Sequence, residues 1–121
     1  MSNIPIIEDF VSAFNRDDLE AAFALMAEDI VYHNIPMPPL HGIAAVRQFF
    51  LETGPMTHND WRILHIAENG PVVMTERVDN MRLGGRPISL PVMGIFEVEK
   101  GRITAWRDYF DLSTFQRQLV G

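Results

Sequence analysis

Three short segments place polar side chains two residues apart in apolar, strand-like surroundings: Tyr32-x-Asn34, Arg77-x-Asp79 and Trp106-x-Asp108. Side chains alternate between faces along a strand, so each pair shares one side. Two carboxylates, a guanidinium, a phenol and a carboxamide can thereby converge on one cavity. A soluble domain seldom points two acids and an arginine at its core, because a buried charge is costly unless paired. Two carboxylic acids beside one arginine can divide the roles of general base and general acid.

Periodicity alone does not settle this placement. In VVMTERVDNM, Val73, Thr75, Arg77, Asp79 and Met81 share one face, and Val72, Met74, Glu76, Val78 and Asn80 the other. Neither face is cleanly apolar, so Arg77 and Asp79 could equally form an exposed ion pair contributing about 0–1 kcal/mol. In ITAWRDYFDL the face of Trp106 and Phe110 also carries Asp108, which argues for burial there. Tyr32 and Asn34 carry less weight, since tyrosine often sits half-buried at a rim and asparagine commonly ends a strand. His33, between them, faces the opposite way.

The elements that would position these residues follow from the pattern. Ile7, Phe10, Val11 and Phe14 have the spacing of one helical face. Asp17, with Glu20 three residues on, reads as the capping box of a second helix that buries Leu19, Phe23 and Met26. Ile30 to Asn34 is strand-prone, and IPMPPLHG reads as a loop. Val46, Phe49 and Phe50 form the inner stripe of a third helix, stopped by Gly54-Pro55.

Beyond it, Trp61, Ile63, His65 and Ala67 alternate with Arg62, Leu64 and Ile66 in a strand. Asn69-Gly70 is a hairpin signal. Strands follow over Val72 to Leu83, Ile88 to Val98 and Ile103 to Phe110, separated by Gly84-Gly85 and Lys100-Gly101. Leu112, Phe115 and Leu119 suit a short last helix. Helices first and an antiparallel meander second predict an α+β fold, one domain over residues 1–121, with helices on one curved sheet. Such a cone encloses a pocket, with an apolar lining from Met37, Met81, Leu90, Val92, Trp106, Phe110 and Phe115. Each of these could instead be ordinary core.

Composition removes several function classes. The chain has 121 residues, 47% of them hydrophobic, and a formal charge of −6. An acidic chain without a basic, aromatic-interleaved patch is not expected to bind nucleic acid. There is no cysteine, so disulfides, thiolate nucleophiles and cysteine-ligated metals are excluded. His41, His58 and His65 lack metal-ligand spacing, and neither a phosphate loop nor a G-x-S-x-G element is present. MSNIPIIEDF lacks the basic start and apolar core of a signal peptide, and no apolar run is long enough to span a bilayer. A cytoplasmic protein without membrane association is the expectation.

The segments VYHNIPMPPLHG, MTERVDNM and GRITAWRDYFDLSTF resemble signature segments of the limonene-1,2-epoxide hydrolase family. The similarity runs in the same order from about Ile7 to Phe115, with His33 standing where the family's limonene enzyme has glutamine. The resemblance implies a cystatin-like cone related to ketosteroid isomerase and polyketide-cyclase-like proteins. It further implies a homodimer and a one-step, cofactor-free opening of a small hydrophobic epoxide by water. On this resemblance the Asp-Arg-Asp set falls on Asp79, Arg77 and Asp108, with the water held by Tyr32 and Asn34.

Residue chemistry is compatible with that reaction. Water is a poor nucleophile and an alkoxide a poor leaving group, so a base and an acid must act on opposite sides of the ring. Asp108 would take the proton from water, Asp79 would donate one to the epoxide oxygen, and Arg77 would bridge the two. Two rival readings use the same cone. An isomerase or cyclase would need one carboxylate and an oxyanion donor, and a non-catalytic module would simply bind a small molecule.

Overall fold

Ile7, Phe10, Val11 and Phe14 fall on one side of α1 (Ile4–Asn15), and all four are buried. Pro5 sits in its first turn, where no N–H is needed. The computed structural model describes residues 1–52 and 56–120; the expected helix stop at Gly54-Pro55 lies outside the described residues. Helix α2 (Leu19–Ala24) is capped by Asp18, whose carboxylate accepts from Ala21 N at 3.1 Å. The cap is thus one residue later than the sequence suggested. Asp17 lies in the left-handed region at φ 58° and accepts instead from Asn59 Nδ2. Glu20, the expected partner of the box, binds Arg47 across the surface.

Strand β1 (Met26–Asn34) starts four residues before the stretch marked as strand-prone. The proline-rich loop contains a two-residue strand, β2 (Leu40–His41), that pairs with β1. After α3 (Ile43–Glu52) comes the meander: β3 (Met56–Asn69), β4 (Val72–Leu83), β5 (Arg86–Glu99) and β6 (Arg102–Tyr109). Helix α4 (Leu112–Leu119) follows, capped by Asp111. The six strands form one open mixed sheet in the order β2-β1-β6-β5-β4-β3. All neighbours are antiparallel except β1 and β6, which run parallel. The expected α+β architecture, a curved sheet around N-terminal helices, is therefore what the chain adopts.

Curvature has local causes. Register shifts interrupt β3 twice, and others fall in the β1–β6 and β5–β6 pairings; bulges of this kind bend a strand and increase its twist. The shift between Ile63 and His65 corrects the simple alternation read along β3. Trp61 and Ile63 face inward, Leu64 is 52% exposed, and Ile66 then takes the inner side while His65 pairs with Glu76 in solvent. Inside, Phe10 meets Trp106 edge-on at 4.9 Å, and Phe14 stacks on Trp61 at 4.3 Å. This places α1 directly on the concave face of the sheet. Among the described residues, no helix is long and apolar enough to cross a membrane.

Replacing Asp18 with alanine removes the side chain that accepts from Ala21 N at the start of α2. Chemical denaturation of Asp18→Ala should show a loss of about 1 kcal/mol, the usual magnitude for an N-cap.

Candidate active site

Sheet register brings the polar residues together. Asn34 on β1 pairs with Asp108 on β6, Asp108 with Gly94 on β5, and Gly94 with Thr75 on β4. Arg77 and Asp79 follow Thr75 on the same face of β4 and are buried with it. The inward reading of that face is therefore the one the structure adopts, and Arg77 is 1% exposed.

Its guanidinium is satisfied on every nitrogen. Nε donates to Asp79 Oδ1 at 3.0 Å and Nη2 to Asp79 Oδ2 at 2.9 Å. Nη2 also donates to Asp108 Oδ2 at 3.0 Å, and Nη1 to Thr75 Oγ1 at 3.0 Å. To reach Asp108, the arginine must cross β5, and it does so over Gly94. A Cβ built at Gly94 would lie 2.9 Å from both Asp108 Oδ1 and Thr75 Oγ1, and closer still to Arg77 Nη1. No side chain fits there while the arginine bridges the two acids.

The second oxygen of Asp108 accepts from Trp106 Nε1 at 2.9 Å. Trp106 lies under Tyr32, ring centroids 4.0 Å apart, and Tyr32 donates from its hydroxyl to Asn34 Oδ1 at 3.2 Å. The five polar residues singled out in the sequence are thus assembled within one connected set. Above them opens a cavity of ≈ 130 Å³. Tyr32, Asn34, Asp79 and Asp108 reach its wall, and Met37, Met81, Leu90, Val92, Phe110 and Phe115 line it as expected.

Trp106 is a correction. It is 1% exposed and absent from the cavity lining, because its ring is enclosed among Phe10, Tyr32 and Phe96. It acts on the site from behind, through Asp108. The sequence reading also missed Phe49, Phe50, Met56, Trp61 and Leu83 in the wall, and Thr75 and Gly94 beneath it. Thr75 was visible on the same strand face as Arg77; Gly94 carried no local signal, since its role depends on side chains from two other strands.

Electrostatics follow from burial. Burial raises the Asp79 carboxyl above its ordinary value, against the hydrogen bonds and charge of Arg77, and Asp108 adds to the rise. Burial by itself would lower Arg77, but the charge of Asp108 and the hydrogen bonds and charge of Asp79 outweigh it, so the guanidinium stays protonated. Burial raises the Tyr32 phenol as well, followed by repulsion from Asp108, which keeps its proton available for donation. Among the described residues, no group of three or more histidine, aspartate or glutamate side chains is arranged to hold a metal ion.

An α+β cone with an apolar interior cavity, floored by two carboxylates sharing one arginine, defines a class of small-molecule enzyme folds. Comparison with known proteins narrows it. The family model for the limonene-1,2-epoxide hydrolase catalytic domain matches residues 1–120. Epoxide hydrolase EphG of Mycobacterium tuberculosis (strain ATCC 25618 / H37Rv) is 32% identical over 106 residues, spanning 88% of this chain and 71% of that protein. A solved structure of an M. tuberculosis LEH-like epoxide hydrolase superposes with a TM-score of 0.84 at 32% identity, covering 98% of this chain and 89% of that one. A candidate polyketide cyclase from Xanthomonas campestris pv. campestris shares the fold at a TM-score of 0.86 and 25% identity, over 97% and 96% of the two chains. The chain belongs to the limonene-1,2-epoxide hydrolase family.

Two predictions test the geometry. Gly94 has no left-handed backbone requirement, so Gly94→Ala isolates the steric conflict with Arg77. Denaturant titration should show a loss of about 1–3 kcal/mol, as for other overpacked interiors. Asp79 gives a pH signature. A carboxyl whose folded pKa is raised stabilises the fold fully below its unfolded value, and that contribution is lost as pH rises through the folded value. The wild-type Tm should therefore decline relative to that of Asp79→Asn as pH climbs above the ordinary carboxylate range. Parallel curves for the two proteins would contradict the assignment.

Proposed function

We propose that this protein adds water to a small hydrophobic epoxide in one step and without a cofactor, giving a vicinal diol. The observation that carries the reading is a pair of buried carboxylates joined by one guanidinium at the floor of an apolar cavity, in a chain of this family. Asp108 is the base. Arg77 and Trp106 donate to its two oxygens, fixing the carboxylate beside Asn34 and Tyr32, which orient the attacking water. Asp79 is the acid, favoured in its neutral form by burial, and gives its proton to the epoxide oxygen as the ring carbon–oxygen bond breaks. The proton taken from water by Asp108 returns to Asp79 after product leaves, so the protein ends as it began.

Arg77 bridges the two acids and stabilises negative charge between them. A proton-shuttling isomerase or cyclase on this fold needs one carboxylate, and the second buried acid here favours hydrolysis. The family resemblance also implies a homodimer, which belongs to the same reading.

The test is a single turnover. Enzyme in excess over a cyclic epoxide in ¹⁸O-labelled water should yield labelled diol at once, with no label entering Asp79 or Asp108. Unlabelled diol would mean that a carboxylate attacked the ring and would overturn the one-step route. Asp79→Asn and Asp108→Asn should each lower kcat by about 10²–10⁴-fold, with the double variant little worse, because groups acting as a unit are non-additive.

A further inference from the structure

Thr75 sits behind the two acids, fully buried and absent from the cavity wall. Its hydroxyl oxygen accepts from Arg77 Nη1 at 3.0 Å. The other bonds of the guanidinium go to carboxylates, two to Asp79 and one to Asp108. Thr75 is therefore the neutral acceptor of the set. It satisfies one end of the arginine without adding a third negative charge to a buried site.

What that end would otherwise bind is set by the sheet. Thr75 pairs with Gly94 across β4 and β5, and Gly94 pairs with Asp108 across β5 and β6. Three atoms crowd the space over the bare glycine: Arg77 Nη1, Thr75 Oγ1 and Asp108 Oδ1. Nη1 thus has two acceptors in its neighbourhood, and it bonds the hydroxyl. Asp108 Oδ1 is left to Trp106 Nε1 at 2.9 Å, while Arg77 holds the other oxygen, Oδ2. The result is unequal treatment of two like groups. Asp79 is gripped by a two-bond fork, and Asp108 by a single bond from the arginine.

We propose that Thr75 is a positioning residue for the epoxide-opening reaction, whose hydroxyl holds Arg77 Nη1 away from Asp108 and so leaves that carboxylate free to act on water. Without the hydroxyl, a buried N–H loses its acceptor, which is costly. The guanidinium then tilts until Nη1 meets Asp108 Oδ1, forking onto both oxygens and displacing the indole of Trp106. A carboxylate forked in this way is a poorer acceptor for the proton of water. The role in turnover rests on the epoxide hydrolase reading, whereas the rearrangement around Asp108 does not.

Two matched comparisons test it. The wild type and Thr75→Val differ by a hydroxyl exchanged for a methyl group, and Thr75→Ser and Thr75→Ala differ by the hydroxyl alone. In each comparison, loss of the hydroxyl should lower kcat on cyclohexene oxide by about tenfold, the order of one hydrogen bond. KM should change little, since Thr75 does not reach the cavity. A second readout is independent of turnover. The chain has two tryptophans; Trp106 donates its indole N–H to a carboxylate, and that of Trp61 has no partner among the described residues. By proton NMR, the Trp106 indole signal should move upfield in Thr75→Val and Thr75→Ala and keep its place in Thr75→Ser. Equal kcat in the wild type and Thr75→Val, or Thr75→Ser no faster than Thr75→Ala, overturns the proposal. If Thr75→Val does not fold, the second comparison decides alone. An indole signal that follows the hydroxyl, in a protein that opens no epoxide, supports the positioning and sinks the hydrolase reading. An indole signal unmoved in every variant sinks the positioning, and the hydrolase reading then stands or falls on epoxide opening by the wild type.

Discussion

A guanidinium removed from water must be met by charge and by hydrogen-bond acceptors on every side, or the fold cannot tolerate it. Arg77 meets this requirement with two carboxylates and one hydroxyl drawn from β4 and β6, across the bare backbone of Gly94 on β5. Much else follows from that demand. The register of three strands is pinned, because sliding β4 or β6 would unpair an ion and sliding β5 would set a side chain where only Gly94 fits. If both acids were ionised, the cluster would carry an excess negative charge in a dry site. Burial disfavours that state and pushes Asp79 toward its neutral form, which is the form a proton donor needs.

Behind the charges lies an aromatic layer. Trp106 is packed by Phe10 from α1, by Tyr32 from β1 and by Phe96 from β5. The same ring that fills the core also orients Asp108 through its N–H. Packing of α1 and orientation of a candidate base are thus one event rather than two. In front of the charges the cavity wall is mostly apolar. An apolar surround strengthens every electrostatic contact at the cavity floor.

Much of this was legible in the sequence because alternation in a strand is short-ranged. Tyr32-x-Asn34, Arg77-x-Asp79 and Trp106-x-Asp108 each announce a shared face, and the two aromatics beside Asp108 argued for burial of theirs. Which face of β4 points inward was not decidable from VVMTERVDNM alone; it is fixed by pairing with β5 and by the acid on β6. Leu64 shows the limit of periodicity. A single register shift reverses the faces of β3 without any glycine or proline to mark it. Gly94 was hidden for a different reason, since its role exists only relative to side chains that arrive from the two neighbouring strands. Asp17 and Asp18 illustrate the ordinary one-residue ambiguity at a helix start, resolved here by the left-handed backbone of Asp17.

The parallel pairing of β1 with β6 has a consequence for the order in which the molecule forms. The meander β3 to β6 is built from neighbouring hairpins, whose short loops cost little entropy to close. Joining β1 to β6 instead links segments separated by most of the chain, with Asn34 brought beside Asp108. Contacts of such long range form late and slowly. Arg77, Asp79 and Asp108 belong to the early-forming hairpins, whereas Tyr32 and Asn34 join with the closing strand. On a ribosome, the acids and their arginine can pair as soon as β6 emerges. Tyr32 and Asn34 complete the floor only as the sheet closes.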